Sequence, residues 1–189
     1  PFCATVLGGV ASSPANSYTV FIRADGSGGS GGGGVALTPR GPTGRPGRDG
    51  LRVFVRDLER GSCWRLGGPD GAPAAVRARA ENGSVVLVHE QDGLVAELET
   101  CTIPGRRAEL RRLTLTDKSG SDRRLDVTTF VEVALNDAAA HESHPGFSKL
   151  FVQTEAEPER GLLVARRRPR APQETWPLLA HALGGNGAL

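Results

Sequence analysis

Three short turn sequences divide the middle of the chain into segments of similar length, and they restrict the possible folds more than any other feature. Asn82–Gly83 and Asp92–Gly93 favour the positive-φ conformations of two-residue hairpin turns, whose twist matches that of the paired strands. Pro104–Gly105 fits a type II turn, in which the glycine takes a positive φ. Because the segments between these turns are rich in Val, Leu and Thr, we predict an antiparallel meander over residues 74–135.

Strand-like segments also lie on both sides of the predicted meander. Residues 51–59 alternate apolar and charged side chains with a period of two, and we predict that they form a hairpin with residues 62–67. Residues 17–25 are rich in β-branched and aromatic residues, and a second hairpin is predicted where "KLFVQTEAE" and "LLVARRR" flank "PERG". The apolar segment 177–183 predicts a last strand. The sequence therefore predicts an all-β fold, a large antiparallel β-sandwich with almost no helix.

The composition is that of a folded domain rather than of a highly charged or membrane-embedded segment. The chain has 189 residues, 38% of them hydrophobic, so residues 1–189 are predicted to form a single domain. The formal net charge is +2 and no apolar run reaches about 18 residues, so we expect no contact with nucleic acid or membrane. Methionine is absent, and we interpret the chain as a fragment of a longer protein.

The three cysteines, Cys3, Cys63 and Cys101, are odd in number and have no Cys-x-x-Cys spacing. This pattern argues against a disulfide framework and favours a reducing compartment, so we predict a cytoplasmic location. Cysteines of this kind are usually small buried residues, and we therefore predict buried, unreactive thiols.

Residues 26–50 form a long segment that is rich in glycine and proline, "GSGGSGGGGVALTPRGPTGRPGRDG". Residues 26–31 fit the phosphate-loop pattern G-x-G-x-x-G, and residues 28–32 fit the nucleophile pattern G-x-S-x-G. Both patterns require a helix immediately afterwards, because its amides hold the phosphate or the oxyanion. The following "VALTPRGP" does not predict a helix, so we interpret the segment as a flexible surface loop that a partner can order, with a disordered linker as the alternative.

Other candidate sites have simpler structural explanations. His141 and His144 lie three residues apart, but the proline that follows and the lack of a ligand cluster favour a loop without a metal. The arginine-rich segment 166–170 has no interleaved aromatic residues, which favours a solvated strand end over a nucleic-acid site. Trp64 and Trp176 can stack on sugar rings, yet a tryptophan in a strand is more often part of the core.

The most specific stretch of the chain is "ESHPGFSKLFVQTE", residues 142–155. It resembles a stretch in the N-terminal β-domain of the glycoside phosphorylase family that includes cellobiose and chitobiose phosphorylases. It is more similar still to the phosphorylase-like region of cyclic β-1,2-glucan synthases. His144–Pro145 and Phe147–Glu155 match that stretch residue for residue. The resemblance extends in order over residues 17–170, and it includes "VFVRDLERGSCW" and "LRRLTLTDKSGSDRRLDVTTFVEVAL".

This resemblance implies a super-sandwich like that of galactose mutarotase, packed against a helical barrel domain that carries the catalytic groups. It implies that this chain alone is not an enzyme and needs no cofactor or metal. The parent protein is expected to be a glycosyltransferase or glycoside phosphorylase that can associate with the inner membrane. The expected partners are a β-linked glucan, the barrel domain and a second copy in a homodimer. The candidate residues for carbohydrate or interdomain contact are Ser30, Arg40, Asp49, His144 and Lys149.

Two interpretations of the segment around His144 remain open. Pro145–Gly146 predicts a sharp corner ahead of a strand over residues 149–155, with Phe147 anchored in the core. Lys149 either pairs with a carboxylate of the same domain or, together with His144, contacts a sugar or the barrel domain. For the whole chain, the alternatives are a stand-alone sugar-active enzyme, either a mutarotase or a hydrolase, and a protein-interaction module.

Overall fold

The computed structural model describes residues 8–12, 18–23, 28–39, 50–67, 76–81 and 84–184. Within these ranges the chain forms fifteen strands, two short α-helices and one 3₁₀ turn, so the prediction of an all-β fold is confirmed. The strands are β1 (Gly8–Ser12), β2 (Thr19–Arg23), β3 (Gly28–Gly32), β4 (Val35–Ala36), β5 (Leu51–Asp57), β6 (Ser62–Arg65), β7 (Val76–Glu81), β8 (Ser84–Gln91), β9 (Leu94–Thr102), β10 (Glu109–Asp117), β11 (Leu125–Val131), β12 (Asn136–Asp137), β13 (Val152–Glu157), β14 (Leu162–Arg167) and β15 (Leu179–Ala182). The helices are α1 (Ala138–Ser143) and α2 (Pro145–Lys149), and the 3₁₀ turn is Pro158–Arg160.

The strands form four antiparallel sheets, which we name by their position in the chain. The amino-terminal sheet has the order β1-β2-β3-β4-β12, and the meander sheet has the order β10-β9-β8-β7. The central sheet has the order β11-β5-β6, and the carboxy-terminal sheet has the order β13-β14-β15. Because β12 pairs with β4, the segment that leads into the two helices lies beside the glycine-rich β3–β4 hairpin.

The meander is confirmed for residues 76–117, and its turns have the predicted geometry. Asp92–Gly93 closes the β8–β9 hairpin with φ values of 51° and 75°, as a type I′ turn requires. At Pro104–Gly105 the glycine has a φ of 71°, and the amide of Arg106 donates to the carbonyl of Ile103 at 3.1 Å. The prediction is wrong beyond this range, because β11 crosses to the central sheet and pairs with β5.

Two hydrophobic clusters pack the sheets against one another. The larger cluster joins the central sheet to the meander sheet, and it includes the fully buried Val55 and Leu87 and the predicted core residue Trp64. The smaller cluster joins β2 to β8 through Val20 and Val85, which are also fully buried. Burying a side chain of this size stabilises the fold by roughly 1.5–3 kcal/mol. The clusters therefore hold the meander sheet against both of its neighbours.

The glycine-rich segment contains a buried strand, which corrects the prediction of a flexible loop at residues 28–36, whereas residues 26–27 and 40–49 lie outside the described residues. The strand β3 lies between β2 and β4, and its close packing leaves no room for a larger side chain at Gly31. A Cβ on Gly31 would overlap the carbonyl oxygen of Val35, and a Cβ on Gly50 would overlap that of Gly28. A turn and another strand follow β3, so neither the phosphate-loop nor the nucleophile pattern has the helix that it requires.

Two short helices lie at residues 138–149, where a loop was predicted. Asp137 caps α1 by accepting a hydrogen bond from the amide of Ala140 at 3.0 Å, and three consecutive alanines favour the first turn. His144 ends α1, and a proline begins α2, where its missing amide hydrogen breaks no helical hydrogen bond. These capping signals act locally, so they were already present in the sequence. The proline after His144 was interpreted as a sign of a loop, whereas it begins the second helix.

The remaining differences concern single positions. The strand predicted from Lys149 onward begins at Val152, because α2 occupies the preceding residues. Cys63 is exposed rather than buried, since it alternates with the inward-facing side chains of β6, and Cys101 is half-buried. Both are free thiols, and Cys3 lies outside the described residues. Within the described ranges no helix is long and apolar enough to cross a membrane.

Candidate functional site

The fold brings together two segments that are far apart in sequence, the glycine-rich hairpin and the helical corner formed by α1 and α2. The candidate residue Ser30 lies in β3, whereas His144 and Lys149 lie at the two ends of α2. The short strands β4 and β12 connect the two regions, and the amide of Ala138 donates to the carbonyl of Gly34 at 3.1 Å. The tip of the glycine hairpin therefore contacts the first residue of α1.

The hydroxyl of Ser30 has a partner inside the domain. This residue is buried, and its amide donates to Oγ1 of Thr38 at 2.8 Å. The two hydroxyl oxygens lie 3.2 Å apart, and the carbonyl of Ser30 accepts from the amide of Leu37. These bonds fix the β3–β4 hairpin. Arg40 and Asp49, the other candidates from this segment, lie outside the described residues, and a role for all three in sugar or interdomain contact stays a prediction.

Lys149 forms an ion pair with a carboxylate of its own domain. Its ammonium group binds Oε1 of Glu132, and the guanidinium of Arg52 lies 3.8 Å from Oε2 of the same side chain. Arg52 also lies 5.6 Å from the centroid of the Phe130 ring. The Lys149 side chain is 46% exposed, so screening by solvent keeps the stabilisation from this pair below about 1 kcal/mol. This pair agrees with the first of the two interpretations above, in which Lys149 binds a carboxylate of its own domain.

His144 is exposed at the junction of the two helices. Its amide donates to the carbonyl of Ala140 at 3.2 Å, and its carbonyl accepts from the amide of Ser148 at 3.0 Å. Its side chain makes no capping hydrogen bond to α2. The backbone of His144 thus holds the junction while its imidazole is accessible to solvent. A role for that imidazole in carbohydrate or interdomain contact stays a prediction.

A chain of buried polar side chains lies beneath the helical corner. Nδ2 of Asn136 donates to Oγ of Ser148 at 2.9 Å, and the same oxygen lies 3.2 Å from Nδ1 of His141. The guanidinium of Arg167 donates to the backbone carbonyl of Ser148 at 2.8 Å. Burial lowers the pKa of His141, and the nearby Lys149 lowers it further, because both disfavour a positive ring. These bonds connect both helices to β12 and to β14.

An aromatic and arginine-rich surface lies beside α2, and we call it the α2 face. It consists of Phe147, Leu150, Phe151 and Trp176 together with the exposed arginines Arg168 and Arg170, and the buried Arg167 lies beneath it. Phe147 and Leu150 lie one helical turn apart and are 57% and 73% exposed. The rings of Phe147 and Phe151 meet edge to face with centroids 5.3 Å apart. The prediction that Phe147 is anchored in the core is therefore wrong.

Three guanidinium groups surround the ring of Phe151. Arg167 lies 5.1 Å from its centroid, and Arg168 and Arg170 each lie 5.7 Å away. Arg167 also lies 5.1 Å from the centroid of Trp176, so one guanidinium contacts two aromatic rings. Burial, together with the nearby Arg170, lowers the pKa of Arg167. The predicted solvated strand end is wrong at Arg167, because strand alternation turns this residue inward while its sequence neighbours stay exposed.

Three residues that organise this region are not among the candidates that the sequence predicted, namely Glu132, Ser148 and Arg167. A signal existed for Arg167, because Ala165 is an inward-facing strand position two residues earlier. No comparable signal existed for Ser148 or Glu132, since their partners come from other elements. Among the described residues, no group of three His, Cys, Asp or Glu side chains is placed to hold a metal ion.

Two comparisons with known proteins agree with this architecture. A family model described as the supersandwich domain of glycosyl hydrolase 94 matches residues 14–188. The cyclic beta-(1,2)-glucan synthase NdvB of Rhizobium meliloti (strain 1021) is 29% identical to the chain over 171 residues. That alignment covers 89% of this chain and 6% of the relative, so the chain spans a small part of the relative's length.

Proposed function

Because the chain belongs to the supersandwich-domain family of glycosyl hydrolase 94, we propose that it is a non-catalytic sandwich domain of a larger enzyme of the glucan synthase or glycoside phosphorylase type. In this proposal residues 1–189 are one domain, and they pack on a helical catalytic domain of the same protein. The relative NdvB is named as a cyclic β-(1,2)-glucan synthase, so the proposed substrate class of the parent protein is a β-linked glucan.

The observation that carries this proposal is the α2 face. Phe147 and Leu150 expose large apolar side chains next to further aromatic rings and arginines. Contiguous apolar patches are uncommon on the free surface of a monomer, and aromatic residues and arginine are enriched in interfaces between proteins. Ser148 and Arg167 fix the backbone beneath this face, so it can present one constant shape to a partner.

Two of the candidate residues fit the border of the same contact. His144 and Lys149 lie on or beside α2, and both are exposed. We propose that they form part of the polar rim, which in most interfaces surrounds an apolar centre. The free thiols of Cys63 and Cys101 are compatible with the reducing cytoplasm that we propose for this domain.

The decisive experiment combines Phe147→Ser with Leu150→Ser in the parent protein and in the isolated chain. Both side chains are largely exposed, so the double change should alter the free energy of unfolding of the isolated chain by less than about 1 kcal/mol. In the parent protein it should lower glucan-forming activity, because the contact with the catalytic domain is weakened. The matched control is Leu110→Ser, which changes a leucine that is 58% exposed on β10.

Full activity of the parent protein with the double change would contradict the proposal, and so would an equal loss with Leu110→Ser. The isolated chain provides a second test. Incubation with cellobiose, sophorose or cyclic β-1,2-glucan and inorganic phosphate should release neither glucose nor glucose 1-phosphate above a buffer blank. Turnover that disappears after a single substitution within this chain would favour the stand-alone enzyme instead.

A glucan-binding role of the same face is the second candidate. It is favoured by the exposed ring of Phe147 and the half-buried Trp176, because sugar rings stack on aromatic side chains. Titration of the isolated chain with linear β-1,2-linked glucan oligosaccharides should then shift the aromatic NMR resonances of these two residues. Unchanged resonances at millimolar glucan would exclude this role and leave the interdomain contact.

A further inference from the structure

The buried polar side chains beneath the helical corner form a hydrogen-bond chain whose pattern depends on one proton. We propose that Asn136, Ser148 and His141 form an acid-sensitive latch, which holds α1 and α2 against the sandwich and releases them when the imidazole is protonated. The latch concerns the folding of the corner itself. Only its consequence, the loss of the α2 face at low pH, rests on the proposed function.

The donors and acceptors of the latch are assigned so that every buried polar hydrogen in it has an acceptor. Nδ2 of Asn136 donates to Oγ of Ser148 at 2.9 Å, and Nδ1 of His141 lies 3.2 Å from the same oxygen. We assign the serine hydroxyl hydrogen to Nδ1, because this assignment gives the buried hydroxyl an acceptor. In this assignment Nδ1 accepts, and the neutral ring carries its hydrogen on Nε2. All three residues are buried, so water does not readily replace a lost bond.

Protonation of His141 makes this arrangement impossible. Nδ1 then carries a hydrogen that points at Oγ of Ser148, which already accepts from Asn136, and the serine hydroxyl hydrogen loses its acceptor. The new cation also meets charged groups on every neighbouring element. These are Lys149 on α2, Arg167 on β14, Glu142 on α1 and Glu132 after β11.

The two carboxylates favour a protonated ring, whereas the two cations and burial oppose it. Burial is the largest of these effects, and the net result is a lowered pKa of His141 in the folded chain. The ordinary pKa of histidine is 6.5, so the unfolded corner binds the proton more tightly than the folded one. The latch is therefore fully closed above pH 6.5 and weakens as the pH falls below that value.

The helical corner responds before the rest of the molecule because it is held mainly by these bonds. Helices of six and five residues are not stable by themselves in water. Ser148 connects the corner to β12 through Asn136 and to β14 through Arg167, and its own amide closes the turn onto His144. The hydrophobic clusters between the sheets do not involve the corner and remain in place.

Amide hydrogen exchange of the 189-residue chain, measured by NMR at pH 7.5 and pH 5.0, tests the latch. Protection factors of the Ser148 and Leu150 amides should fall at the lower pH by at least about tenfold more than those of β8 and β9, which report only the change in global stability. His141→Asn keeps a neutral acceptor near the position of Nδ1, and it should make the protection of the corner independent of pH. His144→Asn, at the exposed histidine of the same corner, should retain the response of the unmodified chain.

Ser148→Ala provides an independent check, because it removes the central hydroxyl without changing His141. At pH 7.5 this variant should show the weak protection that the unmodified corner shows at pH 5.0. The proposal is overturned if the His141 ring titrates while the protection of the corner is unchanged. It is also overturned if His141→Asn keeps the pH response or if His144→Asn abolishes it.

Discussion

At the scale of single residues, the strongest constraints fall on glycines that lie against a neighbouring backbone. Gly50 has a φ of 72°, and a Cβ at this position would overlap the carbonyl of Gly28. Gly34 has a φ of 82°, but no atom lies within 4 Å of the place that its Cβ would occupy. The two positions therefore separate the cost of a left-handed backbone from the cost of a steric overlap.

We expect Gly34→Ala to lower the free energy of unfolding by about 1 kcal/mol, which is the cost of the left-handed conformation alone. Gly50→Ala should lower it by about 3 kcal/mol, because overpacking against the Gly28 carbonyl adds a further cost of roughly 1–3 kcal/mol. Urea unfolding followed by tryptophan fluorescence measures both values. Equal losses in the two variants would show that the backbone of β3 moves away without resistance.

At the scale of elements, a buried charge cluster ties the meander sheet to the central sheet. Arg123 lies between β10 and β11, 3.6 Å from Oδ2 of Asp57 and 3.4 Å from Oδ1 of Asp117. The side chains of Arg123 and Asp57 are 4% and 3% exposed. Asp57 also accepts hydrogen bonds from the amides of Glu59 and Arg60, which fix the β5–β6 turn. The cluster lies where the chain crosses from one sheet to the other.

Arg123→Met should reduce the free energy of unfolding by about 3 kcal/mol, because it leaves the buried carboxylate of Asp57 with only the more distant and partly exposed Arg60, at 4.0 Å, as a cation. The matched control is Arg124→Met, which removes an exposed pair with Glu59 and should cost less than about 1 kcal/mol. Chemical unfolding at neutral pH compares the two variants. A similar cost for both would mean that the cluster does not hold the crossover.

The strand β15 is an edge of the carboxy-terminal sheet in the described part of the chain, and its four residues carry no carboxylate, lysine or arginine. Edge strands without such charges favour pairing with another chain. We therefore expect the isolated chain to self-associate through this edge, and Ala180→Lys should raise the dissociation constant at least about tenfold. Gln173→Lys is the control, since it adds the same charge at an exposed turn.

Sedimentation equilibrium over a range of concentrations measures this association. If Ala180→Lys leaves it unchanged while Phe147→Ser weakens it, the α2 face rather than the β15 edge is the contact surface.

At the scale of the whole molecule, three histidines share one property. Burial is the main cause that lowers the pKa of His89, of His141 and of His181. Nδ1 of His89 accepts from the amide of Gly67 at 3.1 Å, and Nε2 of His181 lies 2.8 Å from Oγ1 of Thr129. Each ring therefore contributes a neutral contact between elements, and the histidines make the stability of the entire fold depend on pH.

We expect the free energy of unfolding to fall as the pH is lowered from 7.5 to 5.0. The histidines have a higher pKa in the unfolded chain than in the folded one, so the unfolded chain binds more protons. Their contribution to stability is complete above pH 6.5 and is lost as the pH falls from there to the lower pKa values of the folded chain. The pKa values of Asp117 and Glu174 are also lowered, but their contribution is lost only at more acidic pH. Urea unfolding at several pH values measures this, and His181→Asn should reduce the decline.

A higher free energy of unfolding at pH 5.0 than at pH 7.5 would contradict this assignment of the three histidines.

The sequence by itself determined the class of fold, the main hairpins and the family. Asp92–Gly93 and Pro104–Gly105 make turns whose φ values depend on sterics within a few residues, so local sequence was sufficient to predict them. Alternation of side chains similarly identified β5 and the core position of Trp64. The motif at residues 144–155 indicated the family to which the whole match over residues 14–188 also points.

The tertiary structure alone decided which surfaces the helical corner and the glycine segment present. Phe147 faces outward because Ser148, on the other side of α2, takes the inward position against Asn136 and His141. Lys149 pairs with Glu132 because β11 crosses to the central sheet and delivers that carboxylate to the corner. Such contacts join residues that are distant in sequence, and neither periodicity nor local turn chemistry contains information about which distant segments will meet.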